Sequence, residues 1–163
     1  MFEEDDFFDG NFHKIIDLVS ANIYWKDAEG RYLGCNQHVL DKFGLKSSKE
    51  IIGKTDYEAL FVPENEIPRF VENDKYALKH GIYEGEEFGT LPNGETITFL
   101  TKKVAFFNKK GEIAGTIGTS LDITNQKKLL ELERKNSKSS YRLSKLLISS
   151  MQVFIGKTKR GVI

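Results

Sequence analysis

Several absences narrow this sequence before any motif does. The chain of 163 residues holds one cysteine, Cys35, which excludes an intramolecular disulfide and a cysteine-rich zinc site and fits a reducing cytosol. No apolar run approaches the ~18 residues needed to cross a bilayer. The opening residues Glu3, Glu4, Asp5, Asp6 and Asp9 are acidic where a secretory signal opens basic, so the expected location is cytoplasmic and off the membrane. Charge of one sign is not in excess: 24 Lys and Arg stand against 24 Asp and Glu, which removes any overall pull toward nucleic acid. His13, His38 and His80 do not stand at i, i+4 from one another or beside Cys35, so no metal site is expected. A Walker-type glycine loop, a G-x-S-x-G elbow and closely spaced paired carboxylates are also missing, and the chain is not expected to be an enzyme.

What is there is organised around Ile113 to Asn125. With a period of two, Ile113, Ile117, Leu121 and Ile123 share one face, while Ala114, Thr116, Gly118, Ser120 and Asp122 share the other. Strong helix formers follow from Gln126, so a strand passes directly into a helix near Asp122–Asn125. Upstream, Phe12, Ile15, Ile16 and Val19 repeat at helical spacing behind a cap at Asp9 or Asn11. NIYWKD and RYLGC predict a hairpin turning at Asp27–Gly30, and Asn36 is placed to cap a helix that Gly44 stops. GKTDYEALF predicts a helical turn capped by Thr55 or Asp56. Pro63 is expected to open the longest helix of the core, which Gly81 ends. On its stripe of Ile67, Phe70, Val71 and Leu78 sits one carboxylate, Asp74, for which a cap on neighbouring loop backbone is the expected role. Turns at Pro92-Asn93-Gly94 and Asn108–Gly111 separate three runs of strand residues and predict an antiparallel meander.

Two strands, several short helices, one longer helix and three strands resemble a PAS domain. The matched pieces are NIYWKDAEGRYLGCN, IIGKTDYEALF and the closing LPNGETITFLTKKVAFFNKKGEIAGTIGTSLDIT, in order and at family-like spacing. The resemblance implies an α+β PAS fold: a five-stranded antiparallel sheet with its first strand central and short helices on one face. An N-terminal amphipathic helix precedes it and a C-terminal coiled-coil helix follows. The expected division is an acidic tail at 1–11, the PAS domain at 12–125, a signalling helix at 126–155 and a basic tail at 156–163. The basic ending carries no cap signal and is expected to continue into an output domain that this chain lacks.

By the same resemblance Thr116, Gly118 and Ser120 turn toward a pocket, for which Trp25, Tyr57, Phe70, Asp74, Leu78, Phe99, Gly118 and Ser120 are the ligand-binding candidates. Ile117, Thr119 and Leu121 then fall on an outer face too apolar to stay wet. The Phe12, Ile15, Ile16 and Val19 face, or a second chain, is the expected cover, which makes a homodimer the expected state. Leu129, Leu132, Asn136, Ser139, Leu143, Leu146, Ser150 and Val153 form a weak heptad seam that adds Leu129 and Leu132 to the dimerisation residues, with loosening expected at Lys135–Ser140. Asp122 and Thr124 resemble the Asp and Thr through which PAS proteins pass signals to the departing helix. The cofactor is left open. His80 falls too late on its helix for haem. The segment GKTDYEALF has no reactive cysteine, and Ser120 stands where flavin-binding relatives carry Gln, which argues against flavin. Three readings remain: a sensor of a small molecule or partner, relaying to an absent output domain; a ligand-free pairing module; and a small pocket enzyme using Asp74.

Overall fold

The computed structural model describes the backbone of residues 4–59, 61–91 and 93–158, and the side chains among residues 11–149 apart from 60 and 92. Five strands, β1 (Asn22–Asp27), β2 (Tyr32–Cys35), β3 (Ile82–Thr90), β4 (Thr96–Phe107) and β5 (Ile113–Asp122), form one antiparallel sheet in the order β2-β1-β5-β4-β3. The middle strand is β5; the expectation of a central first strand is corrected, because β1 pairs with β5 on one side and with β2, an edge, on the other. Three hairpin turns carry glycine at positive φ where the chain reverses, Gly30, Gly94 and Gly111, as the turn residues predicted.

Helices α1 (Glu4–Asp17), α2 (Gln37–Phe43), α3 (Asp56–Ala59), α4 (Ile67–His80) and α5 (Thr124–Thr158) complete the chain. Helix α1 begins earlier than the Asp9 and Asn11 cap signals suggested, so the acidic stretch joins the helix, and Val19 lies beyond its end. Pro63 precedes a 3-10 turn at Glu64–Glu66, and α4 itself starts at Ile67 with Pro68 in its first turn, where the missing N–H costs nothing. The backbone N–H of Ala105 donates to Gly81 O at 2.9 Å, fastening the end of α4 to β4.

Asn36 holds three elements at one point. Its Oδ1 accepts from Val39 N, capping α2, and from Ile23 N on β1; its Nδ2 donates to Ile16 O on α1 and to Ala21 O. The main aliphatic and aromatic core gathers beside it, with Tyr32, Cys35, Val39, Leu40 and Ile51 buried together and Phe43 and Phe61 packed against them. A smaller group, Leu91, Ile97 and Phe99, closes the other end of the sheet.

The chain divides between Ile123 and Thr124 into two compact units. The second contains α5, an unbroken helix that runs through Lys135–Ser140, where loosening was expected. An i, i+4 ion pair of Glu131 with Lys135 at 2.8 Å supports the helix on entry to that stretch. Leu129, Leu132, Leu143 and Leu146 are exposed along it; the side chains of Ser150 and Val153 lie outside the described residues, as do residues 159–163 of the basic ending. Among the described residues no helix is long and apolar enough to cross a membrane.

Asn36→Ala removes a cap and strands buried N–H and C=O groups on three elements. It is expected to lower the unfolding free energy by at least about 2 kcal/mol, read as a fall in urea midpoint at constant slope.

Candidate functional site

The pleat decides which side chains meet. On β1, Asn22, Tyr24 and Lys26 face inward; on β4, Phe99, Thr101 and Lys103; on β5, Thr116, Gly118 and Ser120, as the resemblance implied. Together with α2, α3 and α4 they enclose a cavity of about 60 Å³, room for roughly a few waters or a ligand of a few heavy atoms. Tyr24, Tyr32, Phe43, Phe61, Phe70 and Phe99 contribute rings to its wall. Gly118 belongs to this arrangement without lining the cavity: a Cβ there would fall on the ring of Tyr24, so the missing side chain is what lets that ring stand between β1 and β5.

Charge fills the remaining wall. Lys26 and Lys103 are each 1% exposed. Lys26 Nζ lies 2.6 Å from Asp56 Oδ2 and 2.7 Å from Asp74 Oδ2, and 4.5 Å from the centre of the Tyr32 ring. Lys103 Nζ lies 2.7 Å from Asp74 Oδ1 and 2.9 Å from Glu87 Oε1, and donates to Phe70 O at 3.2 Å. The Asp74 Oδ1 contact is an ion pair outside regular hydrogen-bond geometry. Outer supports hold the carboxylates: Tyr32 Oη donates to Asp56 at 2.7 Å and Asn73 Nδ2 to Glu87 at 2.8 Å. Asp56 is brought into range because Tyr32 N donates to Lys54 O and Gly53 N to Tyr32 O, which ties the segment before α3 to β2.

Burial works against the charge of Asp74, but the flanking ammoniums of Lys26 and Lys103 outweigh it and hold its carboxyl below the usual aspartate value. Burial works against the charge of Lys103, but the carboxylates of Asp74 and Glu87 overcome it and hold the ammonium above the usual lysine value. Burial pushes the phenols of Tyr24 and Tyr32 up, so both stay neutral hydrogen-bonding groups.

Of the predicted ligand-binding residues, Phe70, Phe99 and Ser120 line the cavity, and Asp74 stands behind it as the bridge between the two lysines. The expected loop-capping role of Asp74 is corrected accordingly. Trp25 is corrected too: it alternates with Tyr24 and Lys26 and so points to the outer face, where its ring covers Gly34 and meets Phe12 and His13. Tyr57 is exposed on α3, and Leu78, half-buried on α4, lies off the cavity wall. Among the dimerisation residues Phe12, Ile15 and Val19 are exposed, but Ile16 is buried in its own chain, where Asn36 fastens the helix. His80 stacks on Tyr76 at 4.3 Å, His38 meets Asn22 at 2.9 Å, and among the described residues no cluster of His, Cys, Asp or Glu is fit to hold a metal. Sequence reasoning missed Lys26, Lys103, Asp56 and Glu87; the usable signal was that Lys103 shares a strand face with Phe99.

One further contact leaves the cavity. Lys42 Nζ on α2 pairs with Asp122 Oδ2 at 2.6 Å, and Ile123 N donates to Thr98 O, so the end of β5 is held by α2 and β4 immediately before Thr124 opens α5.

Asp74→Asn removes the one carboxylate that both buried ammoniums share and is expected to cost about 3–5 kcal/mol in denaturant unfolding at neutral pH. Because Asp74 is more acidic folded than unfolded, its contribution is complete above the usual aspartate pKa and is lost as pH falls toward the lower folded value. The stability of the variant should therefore fall less steeply than that of the parent over that acidic window.

Known proteins share this architecture. A family profile described as PAS fold matches residues 16–128. The virulence sensor protein BvgS of Bordetella bronchiseptica is 33% identical over 120 residues, covering 71% of this chain and 10% of BvgS. The methanogenesis regulatory histidine kinase FilI of Methanothrix harundinacea is 30% identical over 142 residues, covering 85% of this chain and 16% of FilI. This chain thus spans only a small part of either relative. The solved PAS domain of Bordetella pertussis BvgS superposes with a TM-score of 0.60 at 28% identity, covering 80% of this chain and 96% of that one. A Vibrio cholera VqmA complex with ligand and DNA has a TM-score of 0.62 at 23% identity, covering 68% of this chain and 50% of that one, a likeness of fold alone. With its sheet order, its inward cavity and the match over residues 16–128, the chain belongs to the PAS domain family.

Proposed function

We propose that this chain is the sensory part of a longer signalling protein, in which occupancy of the cavity acts on α5 through α2 and the Lys42–Asp122 pair. The ion pair carries the reading. Val39 and Phe43 of α2 form part of the cavity wall, and Lys42 of the same helix holds the last residue of β5. A displacement of α2 by a ligand therefore acts on the position of Asp122 and on the direction in which Thr124 starts the helix. Asp122 and Thr124 are the transmitting residues in this account. Coupling free energies between sites are typically ~1–3 kcal/mol, within reach of one partly exposed ion pair and the packing of one short helix. The names of BvgS, a virulence sensor, and FilI, a regulatory histidine kinase, support an output domain of that kind downstream, and VqmA, solved with a ligand, supports small-molecule sensing.

The active unit in this proposal is a homodimer. Ile82, Val104, Ile117 and Trp25 are cross-strand neighbours in one row on the outer sheet face, with Leu100 and Leu121 paired in another. Ile82, Leu100, Ile117 and Leu121 stay at least 40% exposed, as do Phe12, Ile15 and Val19. A second copy buries both surfaces at once, and Leu129 and Leu132 extend the contact along α5.

Two measurements test this reading. Spin labels on Glu72→Cys and Arg134→Cys report the disposition of α5; the buried Cys35, whose thiol burial and then Asp17 push up to about 11, does not compete for label. Val62→Phe, which grows a ring into the cavity from a loop, should shift the label distance by roughly 1–2 Å, and Lys42→Ala should abolish the shift with the fold intact. A shift that survives Lys42→Ala removes the relay. Sedimentation at micromolar concentration should give a dimer that Ile117→Glu converts to monomer; a monomeric parent chain at high micromolar concentration removes the pairing.

A further inference from the structure

The charged wall of the cavity constrains what can enter it. We propose that the cavity selects small organic cations, alkylammonium or amidinium compounds of a few heavy atoms, over neutral or anionic molecules of the same size; this rests on the sensory reading above.

Both lysines are already paired. Lys103 Nζ stands against Asp74, Glu87 and Phe70 O, while Lys26 Nζ is held by Asp56 and Asp74 and turns its remaining N–H toward the face of Tyr32. An anionic ligand would have to draw Lys26 away from that ring or break an ion pair in a buried setting. The carboxylates stand the other way. Asp56 receives Lys26 and Tyr32, and Glu87 receives Asn73 and Lys103, where a carboxylate offers about four acceptor positions; both line the cavity.

The network also holds three carboxylates, Asp56, Asp74 and Glu87, against the two ammoniums, so one negative charge is in excess. That charge lies behind walls of low polarizability, where it is screened far less than at the surface. A neutral alcohol satisfies acceptors and leaves the excess in place; a carboxylate doubles it. An organic cation cancels it, and its apolar part meets the aromatic wall, whose faces attract positive charge. Lys26 over the Tyr32 ring shows the same pairing already in use. A bare divalent metal does not fit as well: it requires several oxygens converging on one point, and here the lysines stand between the carboxylates.

The test is titration calorimetry of the full chain in amine-free phosphate buffer at fixed ionic strength, with propylammonium, propan-1-ol and propionate as probes. Propylammonium should bind at least about tenfold more tightly than propan-1-ol, and propionate should give no binding heat. Glu87→Gln keeps the shape and removes the excess charge, and should bring propylammonium and propan-1-ol to within about threefold of each other. Equal affinity for the amine and the alcohol in the parent chain, tighter binding of propionate, an unchanged preference in a folded Glu87→Gln, or no binding of any probe each overturns the proposal. If Glu87→Gln does not fold, the ranking in the parent chain decides alone. The comparison of Val62→Phe with Lys42→Ala uses no ligand, so the relay stands or falls separately from this choice of ligand.

Discussion

Asp74 lies between two ammonium groups that no stretch of local sequence brings together. Its carboxylate reaches Lys26 on β1 and Lys103 on β4, strands that do not neighbour one another, and it does so from α4, which crosses over the sheet. Each lysine would be costly alone in this setting, since an unpaired buried charge forfeits its hydration without return. Together the groups hold α4 at one distance and one rotation over the sheet, and Asp56 and Glu87 extend the same hold to α3 and β3. An apolar core of equal volume would stabilise as well or better. What the ionic arrangement adds is a fixed register of helix against sheet.

That register creates the cavity. With α4 held away from the sheet by side chains that span the gap, Phe70 and Ile67 line a space they do not fill, and Phe43 and Phe61, stacked at 4.6 Å between ring centres, close it from the side of α2. The walls divide by origin. The sheet supplies polar and charged groups from β1, β3, β4 and β5, and the helical side supplies chiefly rings and aliphatic chains.

Helix α2 touches both the cavity and the end of β5. Asn36 caps its start against β1 and α1, Gly44 ends it in a left-handed turn, and between them Val39 and Phe43 face the cavity while Lys42 faces Asp122. Helix α2, of two turns, is held at one end by a buried side chain and at the other by a partly exposed ion pair, whereas α4 is held by the buried ionic network.

Much of this was legible in local pattern. The three hairpin turns, the Asn36 cap three residues before Val39 and the Gly44 and Gly81 stops all depend on neighbours within a turn, whereas alternation gave β5 two faces and only the family resemblance said which points inward. Alternation did not guard against the misplacing of Trp25, because NIYWKD is apolar enough on both faces for either phase to be read as inward; α1 and Gly34 decide it by covering the indole. Lysine is among the residues least often buried, so Lys26 and Lys103 read as surface groups although Lys103 shares a face with Phe99. Lys26 meets Asp74 across 48 positions of sequence, and the pair of Lys42 with Asp122 spans 80. The amino-acid sequence by itself determined the elements, their order and the family, since these follow from spacing along one chain. Only the tertiary structure decided that two lysines enter the core and that α2 grips the end of β5, because a buried charge is tolerated only where folding delivers its counter-charge.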